Sequence, residues 1–290
     1  MNLILRKLMK DLRVAYVIND AAFFVSHRLP IALRVIESGG AVCLITGYNL
    51  NKEIEKVAQN KLKQKNIEFH QCYFSQSLGN PLFELIGFFQ LIKILKKFNP
   101  TTIHSATAKG NLLASVATNF LYNVKLILSV SGLGTLFVGK QSKKQTLFYY
   151  IFKFFFSVAL KRINYTIIFQ NKEDLKVYKS IINLNNKNLK IIYGSGVDTT
   201  KIKPLYKKIK SRNILLPARI LYEKGVEEYV MASKLLKDQN IDGKFYLAGT
   251  IENANPSSIN FEKVKNWVSE GLILYAGYQY NIYKLYKDID

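Results

Sequence analysis

Acidic residues are scarce in this chain: 20 Asp and Glu stand against 42 Lys and Arg, a formal charge of +22 over 290 residues. Such an excess draws a protein toward polyanions, whether nucleic acid, an acidic membrane surface or phosphorylated substrates, and charge alone does not choose among them. Cysteine is nearly absent. Cys43 and Cys72 lie in apolar stretches without metal-ligand spacing, which excludes a disulfide framework and leads us to expect buried thiols in a reducing compartment. Low-complexity segments are also missing. The opening "MNLILRKLMKDLR" has apolar runs too short for a signal-peptide core and no small-residue cleavage site, so a cytoplasmic start is expected.

Apolar runs long enough to cross a bilayer are lacking as well. The longest, "LFYYIFKFFFSVAL" from Leu147 to Leu160, is interrupted by Lys153 and flanked by Lys143, Lys144, Lys161 and Arg162. As a helix it would reach about 21 Å, short of a hydrocarbon core of roughly 30 Å. The segment from Pro81 to Phe98 has a similar makeup and ends in Lys93, Lys96 and Lys97. Two such helices on a strongly basic chain suggest an anionic membrane surface. Either one alone reads equally well as a helix packed on a sheet with its lysines outward.

Short β-branched runs alternate with helix-compatible stretches. Strands are expected at residues 13–18, 41–46, 67–74, 101–106, 125–130 and 165–170, and again at 213–218, 244–249 and 272–277. That rhythm predicts α/β architecture with mainly parallel sheets wrapped by helices on both faces. A polar, Gly- and Lys-containing passage, "GSGVDTTKIKPLYKKIKSR", separates two doubly wound, Rossmann-like domains, placed at 1–200 and 201–290. In such sheets ligands bind beyond the carboxyl ends of the strands, and the cleft between two such domains is the expected site.

The stretch "PARILYEKGVEEYV", residues 217–230, puts Arg219 and Lys224 just past the first strand of the second domain, beside Gly225 and a helix start. An arginine fork, a lysine charge and helix N-terminal amides together suit a diphosphate. Both are equally readable as solvated surface cations.

These residues resemble a known family. "PARILYEKGVEEYV", the preceding "IIYGSGVDTTKIKP" and the later "LAGTIENANPSS" look like the second domain of retaining family 4 glycosyltransferases, whose GT-B fold has two facing Rossmann-like domains. "FFVSHRLPIA", "IHSATAKGNLLASVA" and "SVSGLGTLF" resemble the corresponding first domain, so the likeness covers nearly the whole chain. It is most like bacterial enzymes that move an N-acetylhexosamine, notably N-acetylgalactosamine, from a UDP-sugar to a polyprenyl-diphosphate-linked acceptor in cell-envelope glycan synthesis. The resemblance implies that Arg219 and Lys224 hold the donor diphosphate and stabilise the leaving phosphate. It places Gly225, Gly249, Thr250, Gly277 and Tyr278 around the donor. On the acceptor side it implies His27 and Arg28 in a loop, His104, Lys109 and Asn111 at a helix start, and Gly132 and Gly134. It implies no metal and no cofactor beyond the nucleotide-sugar, and no DxD-like pair stands in a suitable loop. A lipid-linked acceptor implies a peripheral position on the inner face of the cytoplasmic membrane.

Structural readings stand beside these. His27 and Arg28 could cap or pair near a helix, His104 could be a hydrogen-bonded core residue, and Gly132 and Gly134 could serve a tight turn. Two departures from the family pattern matter. Many relatives have a second histidine where this chain has Ala106, so that residue's acceptor-side role does not transfer. Family members also continue past the position of Asp290 with a strand, a Glu-Gly loop and a carboxylate pair that grips the donor. On that basis the chain is expected to be a fragment or a shortened gene product, transferring sugar poorly or not at all. Two further readings are a non-catalytic protein that binds lipid diphosphate or a partner, and, from charge alone and without any recognised motif, a nucleic-acid-binding protein.

Overall fold

A computed structural model describes residues 11–49, 51–75, 80–132, 143–161, 163–199, 212–252, 255 and 257–290. The chain divides into two compact units, Met1–Gly196 and Val197–Asp290. In the first, seven parallel strands pair in the order β3-β2-β1-β4-β5-β6-β7. They are β1 (Arg13–Ile18), β2 (Ala41–Tyr48), β3 (Glu68–Ser75), β4 (Thr102–Ala106), β5 (Lys125–Val130), β6 (Asn164–Phe169) and β7 (Leu189–Ile191). The short β7 is a strand that the sequence pattern did not announce. Chain order runs one way from β1 through β2 to β3 and the other way from β4 to β7, so the sheet reverses between β1 and β4, where a doubly wound fold opens its ligand crevice.

Helices cover both faces. On one face α1 (Ala21–His27), α2 (Leu29–Glu37) and α3 (Lys52–Gln64) bury residues such as Phe24, Leu29 and Leu62 against Tyr16 and Leu44. On the other lie α4 (Pro81–Phe98), α5 (Ala108–Thr118), α6 (Lys143–Leu160) and α7 (Lys172–Ile181). There Leu91, Leu95, Phe152, Phe156 and Tyr178 pack against Ile103, Leu126 and Phe169. Helix starts are written locally in the sequence. Asp20, Asn51, Asn80, Thr107 and Asn171 each accept a hydrogen bond from a first-turn amide, satisfying donors that the helix itself leaves open.

The second unit has three parallel strands in the order β10-β9-β8: β8 (Asn213–Pro217), β9 (Lys244–Ala248) and β10 (Leu274–Gly277). Helices α8 (Val226–Asp238) and α9 (Phe261–Ser269) contribute Val226, Val230 and Val264 to a core around Phe245 and Leu247. Both sheets are wholly parallel, so within each unit every strand ends at the same edge.

The edge strand β3 is covered by α4. Gln90 Oε1 accepts from the Tyr73 amide at 3.0 Å, and Gly87 lets the helix backbone lie directly on Tyr73. An added Cβ at Gly87 would sit 2.3 Å from the Tyr73 carbonyl oxygen. In an exposed helix, Gly→Ala stabilises by about 1 kcal/mol. At Gly87 the sign should reverse: Gly87→Ala is expected to cost roughly 1–3 kcal/mol through overpacking, read as a lower urea midpoint.

Candidate active site

In the second unit the chain stays paired beyond its strands. The Ala218 and Ile220 amides donate to Ala248 and Thr250 carbonyls at 3.0 and 2.9 Å, and the Gly249 amide donates to Gly277 at 2.9 Å. Gly249 is demanded by this approach, because a Cβ there would lie 1.8 Å from the Ala218 oxygen. Past Arg219, a single 3-10 turn, Tyr222–Lys224, leads to Gly225, whose left-handed backbone (φ 69°) begins α8 without a side-chain cap. Arg219, Lys224, Gly225, Gly249, Thr250, Gly277 and Tyr278 therefore all lie on segments leaving one sheet edge.

Two members of this edge carry features that sequence reasoning missed. Arg219 Nη1 pairs with Glu252 at 3.2 Å, with 53% of the arginine side chain exposed. Glu252 in turn accepts from Asn255 Nδ2 at 3.2 Å. An ion pair this exposed is worth about 0–1 kcal/mol, so it parks the guanidinium without locking it. The loop bearing Glu252 is tied down by a Leu221–Ser258 bridge and by Ser257 donating to Glu223. Lys224 forms no ion pair with a described residue and is exposed. Tyr278, 44% exposed, meets Tyr280 edge-on at 4.9 Å.

In the first unit the crevice between β1 and β4 is bounded by Asn19 and Thr107. Thr107 Oγ1 donates to Asn19 Oδ1 at 2.7 Å while accepting from the Gly110 amide at 3.3 Å. Thr107 holds φ 73° and ψ 154°, a region costly for a branched residue and frequent at functional sites. Neither residue stood out in the sequence.

The expected acceptor-side residues divide by environment. His27 and Arg28 lie at the end of α1 instead of on a loop, because α1 runs on to His27 and α2 begins at Leu29. His27 is exposed, stacks on Phe23 at 4.4 Å and contacts Ser26 Oγ through Nδ1 at 2.7 Å. Arg28 turns inward and is 4% exposed. It approaches Tyr16 and His104, adjacent partners on β1 and β4. His104 Nε2 contacts Ser129 Oγ at 2.9 Å. Burial, and after it the charge of Arg28, pushes His104 down to about 3, so its imidazole is neutral. Lys109 is paired with Glu84 of α4 at 2.8 Å, joining two helices, and burial presses its ammonium below its usual value against the support of Glu84. Asn111 is buried, accepting from Ser105 Oγ at 2.7 Å and donating to the Ser129 carbonyl at 3.0 Å. That buried amide ties α5 to β4 and β5. Gly132 follows β5 with φ 137°, and Gly134 lies outside the described residues.

One group of potential metal ligands occurs among the described residues: Cys43, Glu68 and His70, with donor atoms within 4.8 Å of one another. It sits toward the amino ends of β2 and β3, away from the crevice. Glu68 already pairs with His70 at 2.8 Å, and burial holds the Cys43 thiol up at about 12.

Residues 13–171 match the model of a family described as glycosyl transferase 4-like. The chain belongs to this family. A relative from Campylobacter jejuni, N,N'-diacetylbacillosaminyl-diphospho-undecaprenol alpha-1,3-N-acetylgalactosaminyltransferase, is 23% identical across 96% of this chain and 73% of its own length. Among solved structures, a glycosyltransferase from Rickettsia africae aligns with a TM-score of 0.63 at 17% identity, over 97% of this chain and 72% of that one. Anabaena HepE, solved in complex with UDP, aligns with a TM-score of 0.63 at 13% identity, over 96% and 72%. At these identities the structures speak for the fold, which is α/β and GT-B-like with a seven-stranded and a smaller parallel sheet.

His104 gives the family member a pH signature. Its folded value of about 3 lies below the usual 6.5, so the unfolded chain takes up a proton that the folded chain refuses. Stability from this group is complete above pH 6.5 and falls as pH drops toward 3, with a slope approaching about 1.4 kcal/mol per pH unit. His104→Gln, which can still hydrogen-bond Ser129, should flatten that part of the acid limb in denaturant melts taken between pH 6.5 and 4.

Proposed function

We propose that the second unit binds the diphosphate of a UDP-sugar, and that the chain serves retaining transfer of an N-acetylhexosamine to a polyprenyl-diphosphate-linked or other cell-envelope glycan acceptor handled by the first unit. The observation that carries this reading is the gathering of Arg219, Lys224, left-handed Gly225 and the uncapped start of α8 at the carboxyl edge of β8, β9 and β10. Free first-turn amides and two cations suit a group that gains negative charge as it leaves. In retaining transfer the bond between the anomeric carbon and the β-phosphate oxygen breaks, and the acceptor oxygen bonds to the same face. The acceptor proton passes to the departing phosphate. Arg219 exchanges its weak pair with Glu252 for phosphate oxygens, and Lys224 neutralises the charge left behind. Tyr278, directly after β10, meets the nucleotide in this scheme. No cofactor or metal enters this scheme.

The name of the Campylobacter relative supports the acceptor class, and the UDP bound to HepE supports the nucleotide. The test is UDP binding by calorimetry. Arg219→Ala and Lys224→Ala should each weaken it by roughly tenfold or more, in line with about 1.5–3 kcal/mol for hydrogen bonds to charged groups. Arg219→Lys should fall well short of rescue, because the planar two-point contact is gone while the charge remains. Wild-type affinity in both alanine variants would leave the two cations as ordinary surface charge.

The same reading places the protein on the inner face of the cytoplasmic membrane. Helices α4 and α6, on one face of the first sheet, leave large apolar side chains in water. Leu82, Phe83 and Phe89 on α4 are 54–63% exposed, and Leu147, Tyr150 and Phe154 on α6 are each 63% exposed. Exposed Lys93, Lys96, Lys97, Lys153 and Lys161 lie on or beside them. Among the described residues no helix is long and apolar enough to cross a membrane. Interfacial seating with lysines at the headgroups fits such helices. In flotation with anionic vesicles the protein should rise at low salt and less so as salt screens the charges. Phe89→Asp with Phe154→Asp should keep it in the bottom fraction without lowering Tm, and a wild-type protein that stays at the bottom in low salt would sink this part of the reading.

A further inference from the structure

Arg28 carries a charge that no described residue compensates. Among the described residues its Nε is the one buried side-chain polar atom without a hydrogen-bond partner. Nη1 donates to the His27 carbonyl at 3.1 Å and, at a long 3.4 Å, to Ser195 Oγ. The groups around it are uncharged: the Tyr16 phenol, the neutral His104 imidazole and the Phe23 ring, whose centre lies 5.9 Å from the guanidinium carbon. No described carboxylate pairs with it. Two hydrogen bonds to neutral partners, one of them long, do not offset the cost of burying an unpaired ion. A guanidinium in this position has the electrostatics of half a site.

The direction of access is also present. Ser195 sits in an exposed turn between Gly194 (φ 67°) and Gly196 (φ 72°), both left-handed. Around Gly194 a Cβ would meet only the Gly196 amide nitrogen at 4.0 Å, and around Gly196 nothing within 4 Å. The turn that covers the end of Arg28 is therefore open and lacks bulk, and its one bond to the arginine is weak. An anion with several oxygens can replace or join Ser195 there, taking the fork of donors that a single hydroxyl leaves mostly unused.

We propose that Arg28 and the Gly194–Ser195–Gly196 turn form a subsite for a phosphoryl group of a lipid-linked diphosphate. This rests on the reading of the first unit as the acceptor side and names the chemistry it recognises there. The nucleotide's own phosphates are assigned to Arg219 and Lys224 in the other unit, and the first unit carries the apolar helices that suit a lipid.

The test uses the 290-residue chain with farnesyl diphosphate, a short soluble prenyl diphosphate, and with farnesol and UDP as separate arms, each read by calorimetry and thermal shift. Arg28→Met should weaken farnesyl diphosphate binding by about tenfold or more, leave farnesol and UDP binding unchanged, and keep or raise Tm, since it removes an uncompensated buried ion. Arg28→Lys should weaken the diphosphate similarly. The proposal is overturned if the wild type does not bind farnesyl diphosphate, if Arg28→Met binds it normally, or if that variant melts lower or cannot be purified, because Arg28 would then be a structural strut. Equal loss of UDP binding in Arg28→Met would also overturn it, by assigning the subsite to the nucleotide. Absent UDP binding in every protein, with the farnesyl diphosphate contrast intact, would refute the donor site and leave this subsite standing.

Discussion

The parallel register between β1 and β4, running from Val14 opposite Thr102 to Val17 opposite Ser105, is the joint at which chain order in the large sheet reverses. Helices on either side of that joint diverge, so the strand ends there cannot be roofed by a crossover. Several polar features of the first unit collect around it. Asn19 leaves β1 and Thr107 leaves β4, and the two side chains bond across the gap. Gly110 lets α5 approach β1 so closely that a Cβ would stand 3.0 Å from the Val17 oxygen. The strained backbone of Thr107 is held by this packing and by its cap to α5.

The same register sets the electrostatics. Because Tyr16 and His104 are partners across β1 and β4, their rings lie 5.2 Å apart on the face that α1 covers. Arg28 enters at the end of α1 and meets a phenol and an imidazole, both kept neutral by burial. On the opposite face Ser105 and Asn111 form a separate, fully bonded polar strut. Two polar clusters thus sit back to back through one sheet. One is satisfied, and the other holds a cation that no described carboxylate pairs with.

The smaller unit achieves its strand-end cluster by different means. Its sheet has three strands, and their exits are held together by backbone bonds that continue the ladder past Pro217, Ala248 and Gly277. Gly249 makes that continuation possible, and Glu252, Ser257 and Ser258 bond to Arg219, Glu223 and Leu221 on the segment that follows β8. Arg219 and Lys224 therefore project from a stiff base, although each side chain is itself exposed.

The α/β rhythm was legible in the chain, since it depends on neighbours within a few residues, and the excess of basic residues could be counted directly. Runs such as "RVAYVI" and "KLILSV" became strands at the expected residues, and Pro81–Phe98 became one helix behind its Asn80 cap. The three-residue β7 was too short to leave a pattern. The sequence by itself also determined that Arg219 and Lys224 would follow a strand and precede a helix. What it left open was decided by contacts between residues far apart in the chain. Glu84 claims Lys109, Ser105 and Ser129 claim Asn111, and the Ala218 oxygen dictates Gly249, none of which local propensity encodes. Whether Arg28 finds a carboxylate is of the same kind. Only the folded packing of α1 over β1 and β4 removes it from water while bringing no acid among the described residues into an ion pair with it.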